Sequence, residues 1–417
     1  MNDFKKIAQY LIAILSAASI VLIVILPELN YWFLAILTVN LFISIRYAKQ
    51  VGKWLQIVSS IIIGIVFIYS GFVKAVDPWG SMFKFDDYFD AFNTAFFKPT
   101  ALYLAILLST LEFLIGFALI FRIRMKITSI LLFLFMLFFT VLTFYLAIEN
   151  PVPDCGCFGD ALIITNWQTF YKNLIIMVFT MIVFFNRKSV EVSMRMIFQY
   201  SIVIVGAAFI LWISIYGNNH LPIIDFREYK VGSLMVADPP ETIVYLTYTN
   251  KNSGEEKEML SNELPWNDSI WMSEWEFKDQ RFETIGNEVA NEINITDADG
   301  NDIYLEKEGF QFIVISYYVE KAYKKAFNRI NLLNDNAENA GIPFVGISGS
   351  IPSDIEVFRH EIQAMFPIHN ADETALKTII RANPGLLLLK NGVVIGKWSW
   401  RDIPTFDELD KEFDISE

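Results

Sequence analysis

The chain contains only two cysteines among its 417 residues, Cys155 and Cys157, and a single glycine separates them. The surrounding segment, residues 151–160, reads PVPDCGCFGD and lies between two long apolar runs. This spacing can form a disulfide, because Cα atoms two residues apart fall within the roughly 4.4–6.8 Å that the bond requires. Gly156 and Gly159 allow the positive φ angles that so tight a turn needs.

Three interpretations of Cys155 and Cys157 are open: a redox-active pair, a structural loop disulfide, or two small buried apolar residues. A zinc site is disfavoured, because two thiolates need two further ligands and the three histidines all lie beyond residue 219. So small a disulfide ring is strained, and we expect its midpoint potential to lie above the roughly −300 mV typical of structural disulfides. Closing a short loop also removes little unfolded-state entropy, so the redox interpretation is favoured, with both cysteines as its catalytic residues.

The composition indicates a membrane protein, since 54% of the residues are apolar and 19% are charged. The net charge of −13 is unevenly distributed. Residues 1–216 carry 15 Lys and Arg against 11 Asp and Glu, and the remainder carries 18 against 35. The sequence therefore predicts a membrane half followed by an acidic soluble half. The acidic half argues against a nucleic acid partner, because phosphate binding requires clustered basic residues.

Seven apolar runs approach the roughly 20 residues that cross a bilayer. They predict an all-α membrane bundle with spans near residues 8–27, 30–46, 54–73, 101–121, 127–147, 172–186 and 196–216. Lys and Arg residues in the connecting loops then predict the orientation. Eleven of them fall on the side of the N-terminus, and four, Lys74, Lys84, Lys98 and Lys172, fall on the other.

This bias predicts a bacterial cytoplasmic (inner) membrane protein with its N-terminus in the cytoplasm. The cysteine loop and the C-terminal half would then lie outside the cytoplasm, in the periplasm, where disulfides persist.

Three polar residues near the spans are further candidates. Glu112 interrupts the fourth predicted span, where a carboxyl is costly and so indicates either a functional site or a protonated, hydrogen-bonded packing residue. Lys74 and Asp77 bound the end of the third span, as site residues or as interfacial anchors. The aromatic loop that follows, residues 78–99, predicts a short amphipathic helix on the membrane surface or a lid over a site.

The soluble half divides into two parts. Residues 217–293 form a β-rich lead-in, with a predicted hairpin from Thr242–Asn250 and Glu256–Leu260. Residues 294–417 alternate strands and helices, as in an α/β sheet. The predicted elements there are a hairpin in ITDADGNDIYL, strands at Phe310–Ser316 and Ile342–Ser348, helices at Lys321–Asn339 and Asp354–Met365, and two last strands joined by an Asn-Gly turn.

The membrane half, residues 1–216, resembles the DoxX/MauE superfamily over about residues 50–190. The segments that carry this resemblance are GFVKAVDP, LEFLIG and the DCGCFG loop followed by NW. MauE-type proteins are associated with maturation of methylamine dehydrogenase, whose small subunit is rich in disulfides, and with a separate thioredoxin-like partner. The resemblance implies thiol–disulfide work, with Cys155 and Cys157 as the matching residues.

Residues from about 295 to 410 resemble a thioredoxin-like domain of the TlpA/AhpC type. The segment NPGLLLLKNGVVIGK matches the proline loop, strand and hairpin of that family, which makes Pro384 the candidate cis-proline. Where the family carries Cys-x-x-Cys, this chain reads SYYVEKAYKK, with Lys321 and Lys324 near the equivalent positions. The domain contains no cysteine and so cannot perform dithiol chemistry itself.

The sequence thus predicts an integral membrane protein that carries out thiol–disulfide redox work or matures envelope clients. The alternative is a non-catalytic envelope assembly protein whose thioredoxin-like domain only binds partners, so whether the chain is an oxidoreductase stays open. The expected partners are membrane lipid and an envelope client or redox protein. No cofactor motif is evident, and a quinone is a candidate electron acceptor.

Overall fold

The computed structural model describes residues 11–12, 14–15, 31–190, 194–236, 241–266, 268–285, 293–305 and 308–415. The chain divides into two compact units, Met1–Arg227 and Glu228–Glu417. This division lies slightly beyond the boundary at residue 217 that the charge distribution suggested. The described part of the first unit is helical, and the second unit has mixed sheets and helices.

The first unit contains eight helices within its described residues. They are α1 (Tyr31–Tyr47), α2 (Lys53–Val76), α3 (Pro78–Ala91), α4 (Ala101–Ile120), α5 (Met125–Glu149), α6 (Asn166–Phe185), α7 (Arg187–Val190) and α8 (Met196–Asn219). Of the described helical segments, five are long and apolar enough to cross a membrane: Lys53–Val76, Ala95–Ile120, Met125–Glu149, Asn166–Phe185 and Met196–Asn219. These five correspond to the last five of the predicted spans.

The other two predicted spans have different outcomes. The run at residues 30–46 forms α1, which has 17 residues. The run at residues 8–27 lies almost wholly outside the described residues. The count of seven spans therefore stays a prediction.

Helix α6 begins earlier than predicted, at Asn166 instead of residue 172. The cause is a capping box: Thr165 Oγ1 accepts from Gln168 N at 3.2 Å, and Gln168 Oε1 accepts from Thr165 N at 3.0 Å. Lys172, which the sequence analysis assigned to a loop, consequently lies inside a helix that is long enough to span the membrane.

Helices α2 and α4 pack with their backbones in direct contact. A Cβ atom added at Gly71 would lie 2.5 Å from Phe113 N, and one added at Gly116 would lie 2.7 Å from Gly64 O. Ser60 Oγ also donates to Leu119 O of the facing helix at 2.8 Å. Small residues permit this approach, which is a common way for membrane helices to associate.

The second unit contains a three-stranded antiparallel sheet in the order β2-β1-β3. Its strands are β1 (Glu241–Asn250), β2 (Glu256–Leu260) and β3 (Trp275–Ile285), with α9 (Ser269–Glu274) before β3. The predicted hairpin is confirmed, because β1 and β2 pair antiparallel. Strand β3, which pairs along the other edge of β1, was not predicted.

A six-stranded mixed sheet forms the rest of the second unit, in the order β4-β7-β6-β5-β8-β9. Its strands are β4 (Ile295–Thr296), β5 (Phe310–Ile315), β6 (Phe344–Ser348), β7 (Ile368–Ala371), β8 (Gly385–Lys390) and β9 (Val393–Ser399). Strand β6 is parallel to both β5 and β7, and the other pairs are antiparallel. The packed helices are α10 (Phe327–Asn339), α11 (Pro352–Glu361), α12 (Glu373–Ile379) and α13 (Phe406–Phe413).

Most of the strands predicted for this sheet are present. The predicted helix from Lys321 is shorter, since α10 begins at Phe327 after two 3₁₀ turns. The hairpin predicted in ITDADGNDIYL is reduced to the two residues of β4, which pair with β7, and a single bridge between Thr296 and Asp302.

We predict that Gly71→Ala lowers the free energy of unfolding by about 1–3 kcal/mol, as overpacking typically does. The new methyl group would meet backbone atoms of α4, which cannot move aside as a side chain can. Gly206→Ala in α8 is a matched control, because its nearest new contact is the Phe117 ring at 3.0 Å, and it should cost less. Unfolding in detergent measures both, and equal losses would contradict the close approach of α2 and α4.

Candidate functional site

The cysteine loop connects α5 to α6 and is closed by a bond between the sulfurs of Cys155 and Cys157, whose Cα atoms are 5.5 Å apart. Gly156 has a φ of +64° and Gly159 a φ of +53°, so both glycines occupy the left-handed region that the sequence analysis expected.

Asn166, the first residue of α6, holds the loop at its base. Its side-chain nitrogen donates to Asn150 Oδ1 at 2.8 Å and to Val152 O at 2.7 Å. Asn166 therefore holds the beginning of the loop against the end of the loop, at the start of α6.

Helix α3 holds the loop from one side. Lys84 Nζ lies 2.6 Å from Asp154 Oδ2, and Asp154 Oδ1 accepts from Gly156 N at 2.8 Å. The Tyr88 hydroxyl donates to Cys155 O at 3.1 Å. Burial raises the pKa of the Tyr88 phenol, and the nearby carboxylate of Asp154 raises it further. The phenol thus remains a hydrogen-bond donor throughout the physiological range.

Helix α2 holds the loop from the other side, through a buried polar cluster. Lys74 Nζ lies 2.8 Å and 2.7 Å from the two carboxylate oxygens of Glu112, and 3.0 Å from Ser70 Oγ. Ser70 Oγ lies 2.7 Å from both Glu112 Oε2 and Cys157 O. Lys74 is 6% exposed and Glu112 5%, so this is a buried ion pair that contacts the cysteine loop through Ser70.

These contacts place two of the further candidates beside the cysteines. Lys74 points into the bundle instead of anchoring the interface, and its Nζ lies 2.7 Å from Glu112 Oε2. Asp77 has a local role, because it precedes α3 and its Oδ1 accepts from Gly80 N at 2.9 Å as a helix cap. Pro384 belongs to the second unit, where its peptide bond with Asn383 is cis.

A cavity of about 650 Å³ lies within the first unit and has Cys155 and Cys157 in its wall. Lys74, Glu112 and Lys172 also line it. Most of the remaining wall is apolar and comes from α3 and the residue after it, from α4 and from α5: Phe85, Phe89, Phe92, Leu104, Leu107, Leu108, Leu111, Phe135, Phe138, Phe139 and Leu142. The cavity wall therefore places a disulfide and a few charged groups beside a large apolar surface.

Sequence reasoning missed Lys172 as a site residue. Its Nζ lies 4.4 Å from the centroid of the ring of Phe158, the residue that follows Cys157 in the sequence. Within the described residues, the side chain of Lys172 makes no hydrogen bond or ion pair, in contrast to that of Lys74. The Thr-x-x-Gln signature at Thr165 and Gln168 was the available signal, because it places Lys172 inside the helix.

Ser70 and Tyr88 were also missed. Ser70 lies one helical turn before Lys74 on α2, a spacing that puts both on one face. No comparable sequence signal marks Tyr88. In the part of the chain that the structure describes, no three His, Cys, Asp or Glu side chains converge as metal ligands would.

We predict that removing either partner of the Lys74–Glu112 pair costs about 3–5 kcal/mol of folding stability, because it leaves a buried charge uncompensated. Lys74→Met and Glu112→Gln should each show this loss, and the double variant should lose less than the sum. The exposed pair Lys98–Asp90, also at 2.7 Å, is the control, and Lys98→Met should cost about 1 kcal/mol or less. Additive losses in an unfolding cycle would contradict the buried pairing.

Comparison with known families agrees with the description of the first unit as a bundle of membrane-spanning helices. Residues 52–186 match the model of the family described as methylamine utilisation protein MauE. The match covers α2 to α6, including the cysteine loop, the Lys74–Glu112 pair and Lys172. No curated protein and no solved structure matched the chain. The protein is therefore a multi-pass integral membrane protein with a MauE-like region.

Proposed function

We propose that the protein carries out thiol–disulfide exchange with envelope proteins through Cys155 and Cys157. The observation that carries this proposal is that hydrogen bonds to its backbone hold the loop in addition to the disulfide. Asn166, Tyr88 and Ser70 each hydrogen-bond its backbone. A disulfide between residues two apart removes little unfolded-state entropy, so it adds little to a loop already fixed in this way. We therefore assign the disulfide a chemical role instead of a structural one. The loop can stay in place when the bond opens.

The exchange step is balanced between the two dithiols. A thiolate of the client attacks one sulfur of the Cys155–Cys157 bond, which forms a mixed disulfide and releases the other cysteine as a thiolate. The client's second thiolate then attacks the client sulfur, forms the client disulfide and releases the first cysteine. The two thiol protons of the client end on Cys155 and Cys157. Both cysteines are partly exposed, as an attacked sulfur must be.

We place the cysteine loop outside the cytoplasm, at the face opposite the basic turns. Arg46 and Lys49 precede α2, Arg122 and Arg124 join α4 to α5, and Arg187 follows α6. The cysteine loop lies at the other ends of α5 and α6. The end of α8 lies at that face too, because a Cβ added at Gly217 would meet Val76 O at 2.5 Å. The second unit, which follows α8, would then be periplasmic, in a bacterial inner membrane.

For the second unit we propose a thioredoxin-like domain that binds partners. The parallel strands β5, β6 and β7 and the antiparallel strands β8 and β9 support this assignment. Near the positions where that family carries cysteines, Lys324 pairs with Glu361 at 2.7 Å and is exposed. Because this unit contains no cysteine, it favours a second candidate function, envelope assembly, in which the whole chain only binds proteins.

Single-cysteine variants distinguish the two functions. We predict that Cys155→Ser or Cys157→Ser traps a client as a mixed disulfide. The remaining thiolate attacks the disulfide of an oxidised client and releases one client thiolate, and the serine cannot then attack the mixed disulfide to free the client. The trapped species should appear on non-reducing gels and vanish with reductant, while the abundance of the protein stays unchanged. The variant with both serines is the control and should trap nothing.

Redox equilibration of the purified wild type provides the second measurement. We expect a midpoint potential above roughly −300 mV, as the small ring predicts. If neither single variant traps a partner, or if the potential is as low as that of a structural disulfide, the assembly function takes precedence.

The orientation has its own test. We predict that a reporter active only in the cytoplasm is inactive when fused after Glu417, because loop charge favours the N-terminal side as cytoplasmic. The same reporter fused after Arg124, in the basic turn between α4 and α5, should be active and serves as the control. Activity after Glu417 would overturn the proposed orientation and, with it, the oxidising location of the cysteines.

A further inference from the structure

We propose that the cavity beside Cys155 and Cys157 binds a membrane quinone, which accepts the electrons of the reduced cysteine pair. This inference rests on the redox function proposed above and adds to it the terminal acceptor. The cavity has a volume of about 650 Å³. This lies within the roughly 300–1,000 Å³ that is common for small-molecule sites.

The cavity wall suits a molecule with a small polar head and a long apolar tail. Its polar groups include the cysteines, Lys172 and Asn173, whereas phenylalanine and leucine side chains form most of the rest. A shallower groove of about 630 Å³ runs along α5 and shares Phe92, Phe138 and Leu142 with the cavity. The two together provide room for a ring and for the first part of an isoprenoid chain.

The apolar part of the cavity is also accessible from the outer surface of the helices. Leu107 is 54% exposed, Leu111 41% and Phe138 62%, and all three line the cavity. They lie on α4 and α5, which are long and apolar enough to cross a membrane. Their exposed surfaces would therefore face lipid chains, the phase from which a quinone enters.

The charges of the cavity favour a neutral head over a phosphate. Three lysines line it, but Lys74 is paired with Glu112 at 2.7 Å and Lys84 with Asp154 at 2.6 Å. Among these three, only the side chain of Lys172 makes no ion pair or hydrogen bond within the described residues. The single Nζ of Lys172 can donate to a carbonyl oxygen of a quinone, whereas a lipid phosphate is normally bound by several cations.

The proposed reaction is balanced. Cys155 and Cys157 lose their two thiol protons and two electrons as the bond between their sulfurs forms. The quinone gains two electrons and two protons at its two carbonyl oxygens and leaves as the quinol. Lys172 donates a hydrogen bond to the oxygen on which negative charge develops, which stabilises the reduction where it occurs.

The test uses the full chain in detergent, with its cysteines reduced and the reductant removed under anaerobic conditions. Decylubiquinone is added, and quinol formation is followed by ultraviolet absorbance while disulfide formation is followed by thiol labelling. We expect equimolar quinol and disulfide. Leu111→Trp, which fills the cavity, and Lys172→Met should each slow the reaction about tenfold or more.

Leu131→Trp is the matched control, because Leu131 is 48% exposed on α5 and is not part of the cavity wall. It should react within about twofold of the wild type, since it removes no contact with the reacting groups. Should Leu111→Trp fail to fold, as judged by its melting temperature, Lys172→Met decides the result.

The outcomes separate this inference from the function on which it rests. If the oxidised wild type exchanges with a reduced model peptide but its reduced form does not reduce decylubiquinone, the quinone site is wrong and the exchange function stands. If it does neither, both fail. Equal rates for wild type, Leu111→Trp and Lys172→Met would place the reaction outside this cavity. Loss of quinone reduction on adding anionic phospholipid would assign the cavity to lipid and overturn the proposal.

Discussion

The buried ion pair between Lys74 and Glu112 is the interaction on which the geometry of the cysteine loop depends. Charges inside a membrane-spanning bundle are costly unless they are paired and hydrogen-bonded, so these two side chains fix where α2 and α4 must meet. Gly71 permits that meeting because it leaves no side chain between the helices. Ser70 lies on the same face of α2 and contacts both Glu112 and the Cys157 carbonyl. The position of the ion pair therefore determines the position of the Cys157 backbone. The position of the cysteine loop is thereby fixed by the core of the bundle and not only by its own turn.

The loop is held through its backbone, and this has a chemical consequence. The Cys155 carbonyl accepts from Tyr88 and the Cys157 carbonyl accepts from Ser70, so neither contact uses a sulfur atom. Opening the disulfide leaves both hydrogen bonds available. In the proposed cycle the two thiols therefore stay close enough to close again, and little ordering entropy is lost at each closure.

The sequence predicted what depends on local pattern and missed what depends on contact. Apolar runs located the five candidate spans, and the Asn-Gly turn located the last hairpin of the second unit. The pairing of Lys74 with Glu112 was not predictable, because the two residues lie on different helices. The sequence around each of them shows only an isolated charge in or beside an apolar run. Lys172 was assigned to a loop because the predicted span began at the apolar run and left out the polar first turn of α6. Strand β3 was missed because its charged residues hid the alternation of WEFKDQRFETI.

The distribution of cysteines separates two tasks along the chain. Both cysteines lie in the first unit, so in the proposed function the electrons of a client pass through Cys155 and Cys157. The second unit has no group that can take part in dithiol chemistry, and what it offers is a folded surface. In the proposed function, recognition of a client and oxidation of that client therefore depend on different residues. Changes on the surface of the second unit would then alter which proteins are bound without altering the chemistry, since the hydrogen bonds described for the loop come from residues of the first unit.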